Sequence, residues 1–187
     1  MKKATASLED VTPRDWMMWL ATLLVLVLGI RLLALTTNAT DLFFDEAQYW
    51  SWSRDPAFGY YSKPPLIAWA IWLSTEVCGA APWCIRLPAP LFHTATACLI
   101  FATTTRLFDA KSGFWAALAF ATLPGVSLSA GLISTDAPLL TFWALALYAL
   151  VAMIQSVRWW PAVLLGIAIG LGLNSKYAMA YFIVCLT

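Results

Sequence analysis

From residue 16 to 35 the chain is apolar for about 20 residues, interrupted only by Gly29, Arg31 and a few small residues, which matches the hydrocarbon thickness of a bilayer. Further apolar runs follow at 86–105, 114–132, 139–154 and 159–173, and another opens at Ala178. The connections at 106–111, 134–138 and 155–158 are short and polar. A cleaved signal peptide would carry a shorter apolar stretch, so residues 16–35 are predicted to remain as the first span. Arg31, near its outer end, is expected to snorkel toward the headgroups. Pro124 and Gly125 should bend the third span. Gly166, Gly170 and Gly172 should let the fifth approach a neighbour closely.

The exception to this regular pattern is the stretch 37–85, too long for a simple connector. Residues 45–54 are predicted to form a short helix. Asp45 would be its N-cap, with Gln48 three residues on in the manner of a capping box. Pro56, Gly59, Pro64 and Pro65 then interrupt the pattern. Residues 66–77 are apolar and aromatic-rich, about 12 residues, which suits a helix lying in the membrane interface rather than crossing it. The expected fold is therefore all-α and polytopic. Residues 1–15 form a tail, 16–187 a transmembrane helix bundle, and the loop 37–85 holds interfacial helices.

Composition agrees. The chain is 61% hydrophobic and 11% charged, against roughly 25% charged residues in soluble domains. Net charge is +1, which argues against a nucleic-acid partner. The eleven tryptophans suit interfacial belts. With the N-terminus cytoplasmic, Lys2, Lys3, Arg14, Arg106, Lys111 and Arg158 lie inside, and Arg54, Lys63, Arg86 and Lys176 outside. The bias is modest but follows the positive-inside rule in the short turns. The same parity sends the 37–85 loop, Asp136 and Lys176 to one outer face. The last apolar run ends at Thr187, which reads as a truncation within a longer protein. Cys78 and Cys84 share the outer loop, so a disulfide between them is compatible with an oxidising compartment. Cys98, Cys185 and His93, the single histidine, read as packing residues in spans. Asn38-Ala39-Thr40 matches a glycosylation acceptor, a pattern too short to carry weight.

The chemistry-bearing residues concentrate in Asp41–Trp69, DLFFDEAQYWSWSRDPAFGYYSKPPLIAW. Glycosyl transfer to a hydroxyl needs a general base and a cation to stabilise a departing phosphate. Asp45 or Glu46 is the candidate base. Lys63, locked before Pro64 and Pro65, and Lys176 are candidate phosphate contacts, with Arg54 or Arg86 assisting. Tyr49, Trp50, Tyr60 and Tyr61 are candidates for sugar or lipid contact. Each has a plainer reading: Asp45 and Asp136 as helix caps, Lys63 as a solvated loop residue, the aromatics as an interfacial belt.

FDEAQYW in the outer loop, then GYYSKPPLIAW, then RLPAPLF opening the second span, with STDAPLLTFW and GLGLNSKYAM later, resemble the bacterial branch of the family 39 glycosyltransferases. That family includes relatives of protein O-mannosyltransferases and of the aminoarabinose transferase that modifies lipid A. The resemblance covers nearly all of residues 16–187. It implies a GT-C fold in a bacterial inner membrane, with the active site on the periplasmic face. It implies a polyprenyl-phosphate-linked sugar donor, a mannosyltransferase-like reaction with inversion, and a glycan, lipid A or protein acceptor. By motif, Asp45 matches the catalytic acid with Glu46 beside it, Lys63 a donor-phosphate contact, Asp136 a second acid lining the cavity, and Lys176 a further phosphate contact. No metal-ligand cluster is visible; a divalent metal is left open, and no other cofactor is implied. Family members are typically longer, so this chain is expected to be an N-terminal portion. A membrane lipid or solute transporter and a non-catalytic membrane subunit are the competing readings. Transporters tend to place their charged groups at the bilayer midplane, often within internal repeats; here the acids cluster at one surface.

Overall fold

The computed structural model describes residues 11–186, so the expected tail lies outside the described residues up to residue 10. All regular structure among the described residues is helical. Three stretches are long and apolar enough to cross a membrane: Pro13–Thr37, Pro82–Leu107 and Asp136–Gln155.

The first helix, α1 (Pro13–Thr37), starts three residues earlier than the hydrophobic pattern indicates. Thr12 is its N-cap. The Asp15 carboxylate accepts from the Thr12 N–H at 2.9 Å, and the Asp15 N–H donates to Thr12 Oγ1 at 3.3 Å, a reciprocal capping box. Pro13 occupies the first turn, where a missing N–H costs nothing. Its 25 residues span roughly 37 Å. Val25, Leu26, Ile30 and Leu33 stay exposed along it, as expected of a lipid-facing surface.

The long loop contains α2 (Phe44–Ser53), α3 (Leu66–Cys78) and the short α4 (Pro82–Arg86), which leads into α5 (Pro88–Leu107). Gly79 ends α3 with φ of +85°, a conformation that favours glycine. The chain then doubles back and Cys78 bonds Cys84, their Cα atoms 6.0 Å apart, a normal disulfide separation. Replacing both cysteines by serine is expected to cost about 2 kcal/mol, the loop-closure value for so short a ring. Thermal unfolding in detergent should show a lower midpoint, which a reducing agent reproduces in the native chain but not in the variant. Equal midpoints for native and variant would mean that the crosslink adds nothing.

The third apolar run is broken rather than bent. It forms α6 (Ala110–Thr122) and α7 (Pro124–Ser129), separated at Leu123, whose ψ is 133°. The ring of Pro124 disfavours helical ψ in the residue before it, so the helix stops and restarts. After α8 (Asp136–Gln155) and α9 (Trp160–Ser175) come a 3-10 turn at Tyr177–Met179 and α10 (Ala180–Val184).

α8 packs against both α5 and α9, α5 against α6, and α6 against α1. Lipid supplies no hydrophobic drive between helices, so small residues and hydroxyls carry these contacts. Ala97, Ala117 and Ala121 are buried beside Trp16, Leu20 and Phe114. Thr96 and Thr141 bond across α5 and α8 at 2.9 Å; such pairs are worth on the order of 0.6 kcal/mol in membranes. Of the three glycines of α9 singled out in the sequence, only Gly172 is closely approached. A Cβ there would meet Met179 Cγ at 2.6 Å, whereas Gly166 and Gly170 have open space. His93 is buried as expected, its Nε2 3.0 Å from Ser129 Oγ. Arg31 does not reach for headgroups: its guanidinium donates to the Ala121 carbonyl at 2.6 Å, in the last turn of α6, where cations are favoured.

The two ends of the bundle are distinguishable. At one, the Gln155 amide donates to the Arg106 carbonyl at 3.1 Å, joining the end of α5 to the end of α8. At the other lie the loop helices, the start of α5, the start of α8 and the end of α9. This loop end collects the charged residues considered next.

Candidate functional site

The adjacent acids Asp45 and Glu46 have opposite fates because successive helical residues point about 100° apart. Helix α2 is capped by Phe43, not Asp45, and its third residue is Glu46. The Glu46 carboxylate turns back to accept the Phe43 N–H at 3.0 Å. It also takes a bidentate pair from Arg86, at 2.9 Å from Nε and 2.7 Å from Nη2, and the Ile133 N–H at 2.8 Å. Glu46 is 2% exposed and Arg86 1%. Arg86 further donates to the carbonyls of Thr40 at 3.1 Å and Asp41 at 2.9 Å. One buried ion pair thus ties together the end of the first loop segment, α2, the end of α4 and the segment before α8. Burial by itself pushes the Glu46 carboxyl up. The donors Arg86, Ile133 and Phe43 together outweigh it, and the group sits below the usual carboxylate range. Arg86, offered by the sequence as an aid to phosphate binding, is buried and committed to this clamp.

Asp45, one position earlier, is exposed and caps nothing. Four residues on, Tyr49 is buried at 3% exposure. Its phenol is pushed up first by burial, then by the charges of Asp45 and Asp136; a hydrogen bond with Thr135 acts the other way. Tyr49 is thus a buried phenol within electrostatic reach of two carboxylates from helices far apart in sequence. Asp136 is the first residue of α8 and uses its side chain not as a cap but to pair with Lys176, Oδ1 to Nζ 2.6 Å. Lys176 follows the end of α9, so the pair joins the tops of two helices. Both partners remain partly open to solvent, with Lys176 at 35% and Asp136 at 56%.

Lys63 is half-buried, between the exposed Tyr61 and Ser62 and the buried Pro64 and Pro65, just before α3. Its ammonium carries no ion pair among the described residues. Tyr60 is a brace. Its ring stacks on Trp52 at 4.8 Å and 7°. Its hydroxyl lies 2.9 Å from the Trp52 carbonyl and accepts the Ala57 N–H at 3.0 Å. The Trp69 indole donates to the Ala57 carbonyl at 2.9 Å, fastening the same segment to α3. Tyr61 is fully exposed. Arg54 lies at the far end of α2, over the Trp50 ring at 5.9 Å. It is roughly 13 Å along the helix from Asp45 and on the opposite face, so the fold does not bring it to the acids. No group of three or more metal-ligating side chains occurs among the described residues.

Asp45, Tyr49, Asp136 and Lys176 thus gather at one end of the bundle, beside a clamp the sequence pattern did not disclose. The signal for that clamp is weak: an arginine between an amphipathic loop and a Leu-Pro helix start. Ile133 contributes a backbone N–H, which has no sequence signature.

The family model for dolichyl-phosphate-mannose-protein mannosyltransferase matches residues 62–187, about two thirds of the chain. The chain is also 42% identical over 164 residues to a lipid A galacturonosyltransferase, RgtD, of Rhizobium johnstonii. That match covers 86% of this chain but 35% of the relative, so the chain spans about a third of the length of the curated protein it resembles. No solved structure matches. With its three membrane-length helices, its all-helical bundle and this match, the chain belongs to the dolichyl-phosphate-mannose-protein mannosyltransferase family of membrane glycosyltransferases.

Proposed function

We propose that this chain is the N-terminal part of a membrane glycosyltransferase that moves a sugar from a polyprenyl-phosphate donor to a hydroxyl of lipid A, another envelope glycan or a protein. Asp45 is the general base. It accepts the proton of the acceptor hydroxyl as that oxygen attacks the anomeric carbon. The bond from that carbon to the phosphate oxygen breaks, and the pair of electrons leaves on the phosphate. A single displacement of this kind inverts the anomeric centre. Lys63 and Lys176 stabilise the departing phosphate, and Asp136 holds Lys176 in place until the donor arrives. Glu46, saturated by four donors, positions Asp45 rather than taking the proton. Tyr49 keeps the two acidic residues in register, and the fully exposed Tyr61 is placed to meet lipid.

The observation that carries this reading is the exposed Asp45 carboxylate, free of any capping role, at the same end of the bundle as the Asp136–Lys176 pair. The count of lysines and arginines supports a cytoplasmic N-terminus, with this end on the periplasmic side of a bacterial inner membrane. The name of the relative makes lipid A the first acceptor to try and a galacturonosyl lipid the first donor.

The test uses membranes containing the full-length protein and a panel of radiolabelled polyprenyl-phosphate sugars with lipid A. Transfer of label to lipid A from one donor, absent from membranes lacking the protein, is expected. Release or transfer from none of them in the full-length protein would sink the reading.

A further inference from the structure

Two helices of the loop present the same arrangement to each other. α2 and its C-cap carry Trp50, Ser53 and Arg54; α3 carries Trp72, Thr75 and Glu76. In both the spacing is i, i+3, i+4, which puts an indole, a hydroxyl and a charge on one helix face. These six side chains, with Ala80, line a cleft of about 340 Å³.

Neither Arg54 nor Glu76 has an ion-pair partner among the described residues. The Ser53 hydroxyl donates to the Trp50 carbonyl at 2.7 Å and the Thr75 hydroxyl to the Ile71 carbonyl at 2.9 Å, which leaves their oxygen lone pairs available. Trp72 also walls a second, apolar groove of about 430 Å³ with Phe58, Trp69 and Leu73. A polar cleft and an apolar groove that share one indole suit a molecule with a polar head and a hydrocarbon chain. The head must offer hydroxyls to a carboxylate and accept from a guanidinium, and must present apolar C–H faces to indole rings. A sugar does all three.

We propose that this cleft binds the saccharide headgroup of a glycolipid, with part of an acyl chain in the adjoining groove. Resting on the function proposed above, the glycolipid is the acceptor, gripped at sugar units away from the hydroxyl that reacts. The cleft lies on the face of α2 opposite Asp45, so it is separate from the donor-phosphate residues. It places Arg54 with the acceptor, not the donor.

The test measures equilibrium binding of lipid A to the full-length protein in detergent micelles, with phosphatidylglycerol as a chain-bearing lipid that lacks sugar. Trp72→Ala and Glu76→Gln should each weaken lipid A binding by about tenfold, the value of one charged hydrogen bond or stacked ring. Phosphatidylglycerol binding should be unchanged in Glu76→Gln, an exposed substitution that leaves the fold intact. In the transfer assay both variants should raise the KM for lipid A and leave the KM for the donor unmoved. Native lipid A affinity in both variants would overturn the proposal, as would an equal loss for phosphatidylglycerol in Glu76→Gln. Should no donor support transfer, the binding arm still decides: selective loss of lipid A in the variants keeps the cleft while the transferase reading falls.

Discussion

Asp45→Asn should reduce sugar transfer by roughly 10²- to 10⁴-fold, the range for loss of a general base, while leaving the protein as stable as before. The two halves of this expectation have separate grounds. The carboxylate is exposed, caps no helix and forms no ion pair among the described residues, so its amide should fold with a change within about 0.5 kcal/mol. The same amide cannot take a proton from a hydroxyl. Expression, thermal midpoint and donor binding should therefore match the native protein while turnover collapses. Asp45→Glu, with the carboxylate displaced by one methylene, should recover a part of the rate. Unchanged turnover in Asp45→Asn would remove this residue from the chemistry and leave Asp136 as the acid to test.

Arg86→Met should cost about 3–5 kcal/mol, because it leaves the buried Glu46 charge without its partner. Few single changes in this chain should do more. The loss would spread beyond the pair, since Arg86 also holds the Thr40 and Asp41 carbonyls and Glu46 holds Ile133. The combined change Glu46→Leu with Arg86→Met should recover part of the stability, as replaced buried pairs often do. It should not recover transfer, because α2, which carries Asp45, then loses its tie to the segment before α8. Thermal unfolding and turnover, measured on the single and double variants, separate the two effects; full activity in the double variant would show that the clamp does not position the site. The pair also predicts a pH dependence. Its folded-state pKa lies below that of an unfolded glutamate, near 4.3 as an approximate reference. Its contribution is thus complete above that value and is lost as the pH falls through the lower folded value. The native midpoint should drop in that acid range more steeply than that of the double variant.

Much of the architecture was legible in the chain because a bilayer imposes length and composition directly: an apolar stretch of membrane length has to be a helix. Residues 16–35, 86–105 and 139–154 needed no tertiary knowledge. The break at Leu123 was read only as a bend. Whether a proline bends or stops a helix depends on whether neighbours satisfy the freed carbonyls, and here Arg31 from α1 takes one of them. The cap of α2 falls at Phe43 instead of the expected Asp45 for a related reason. Asp45 and Glu46 are both plausible first-turn acids, and only the position of Arg86, forty residues on, decides which one turns inward.

A helical membrane chain with acids, lysines and aromatics concentrated in one loop and at two helix ends can be read directly from the residues. Hydropathy and the distribution of charge are local properties, summed along the chain. Which of those residues share a surface follows from how the helices pack. Packing set Asp136 against Lys176 and Tyr49 against Ile133 and Ala137, buried Glu46 with Arg86, and turned Arg54 away into a separate cleft. Those outcomes depend on helix rotation and on contacts between residues about twenty to ninety positions apart, which no local pattern encodes.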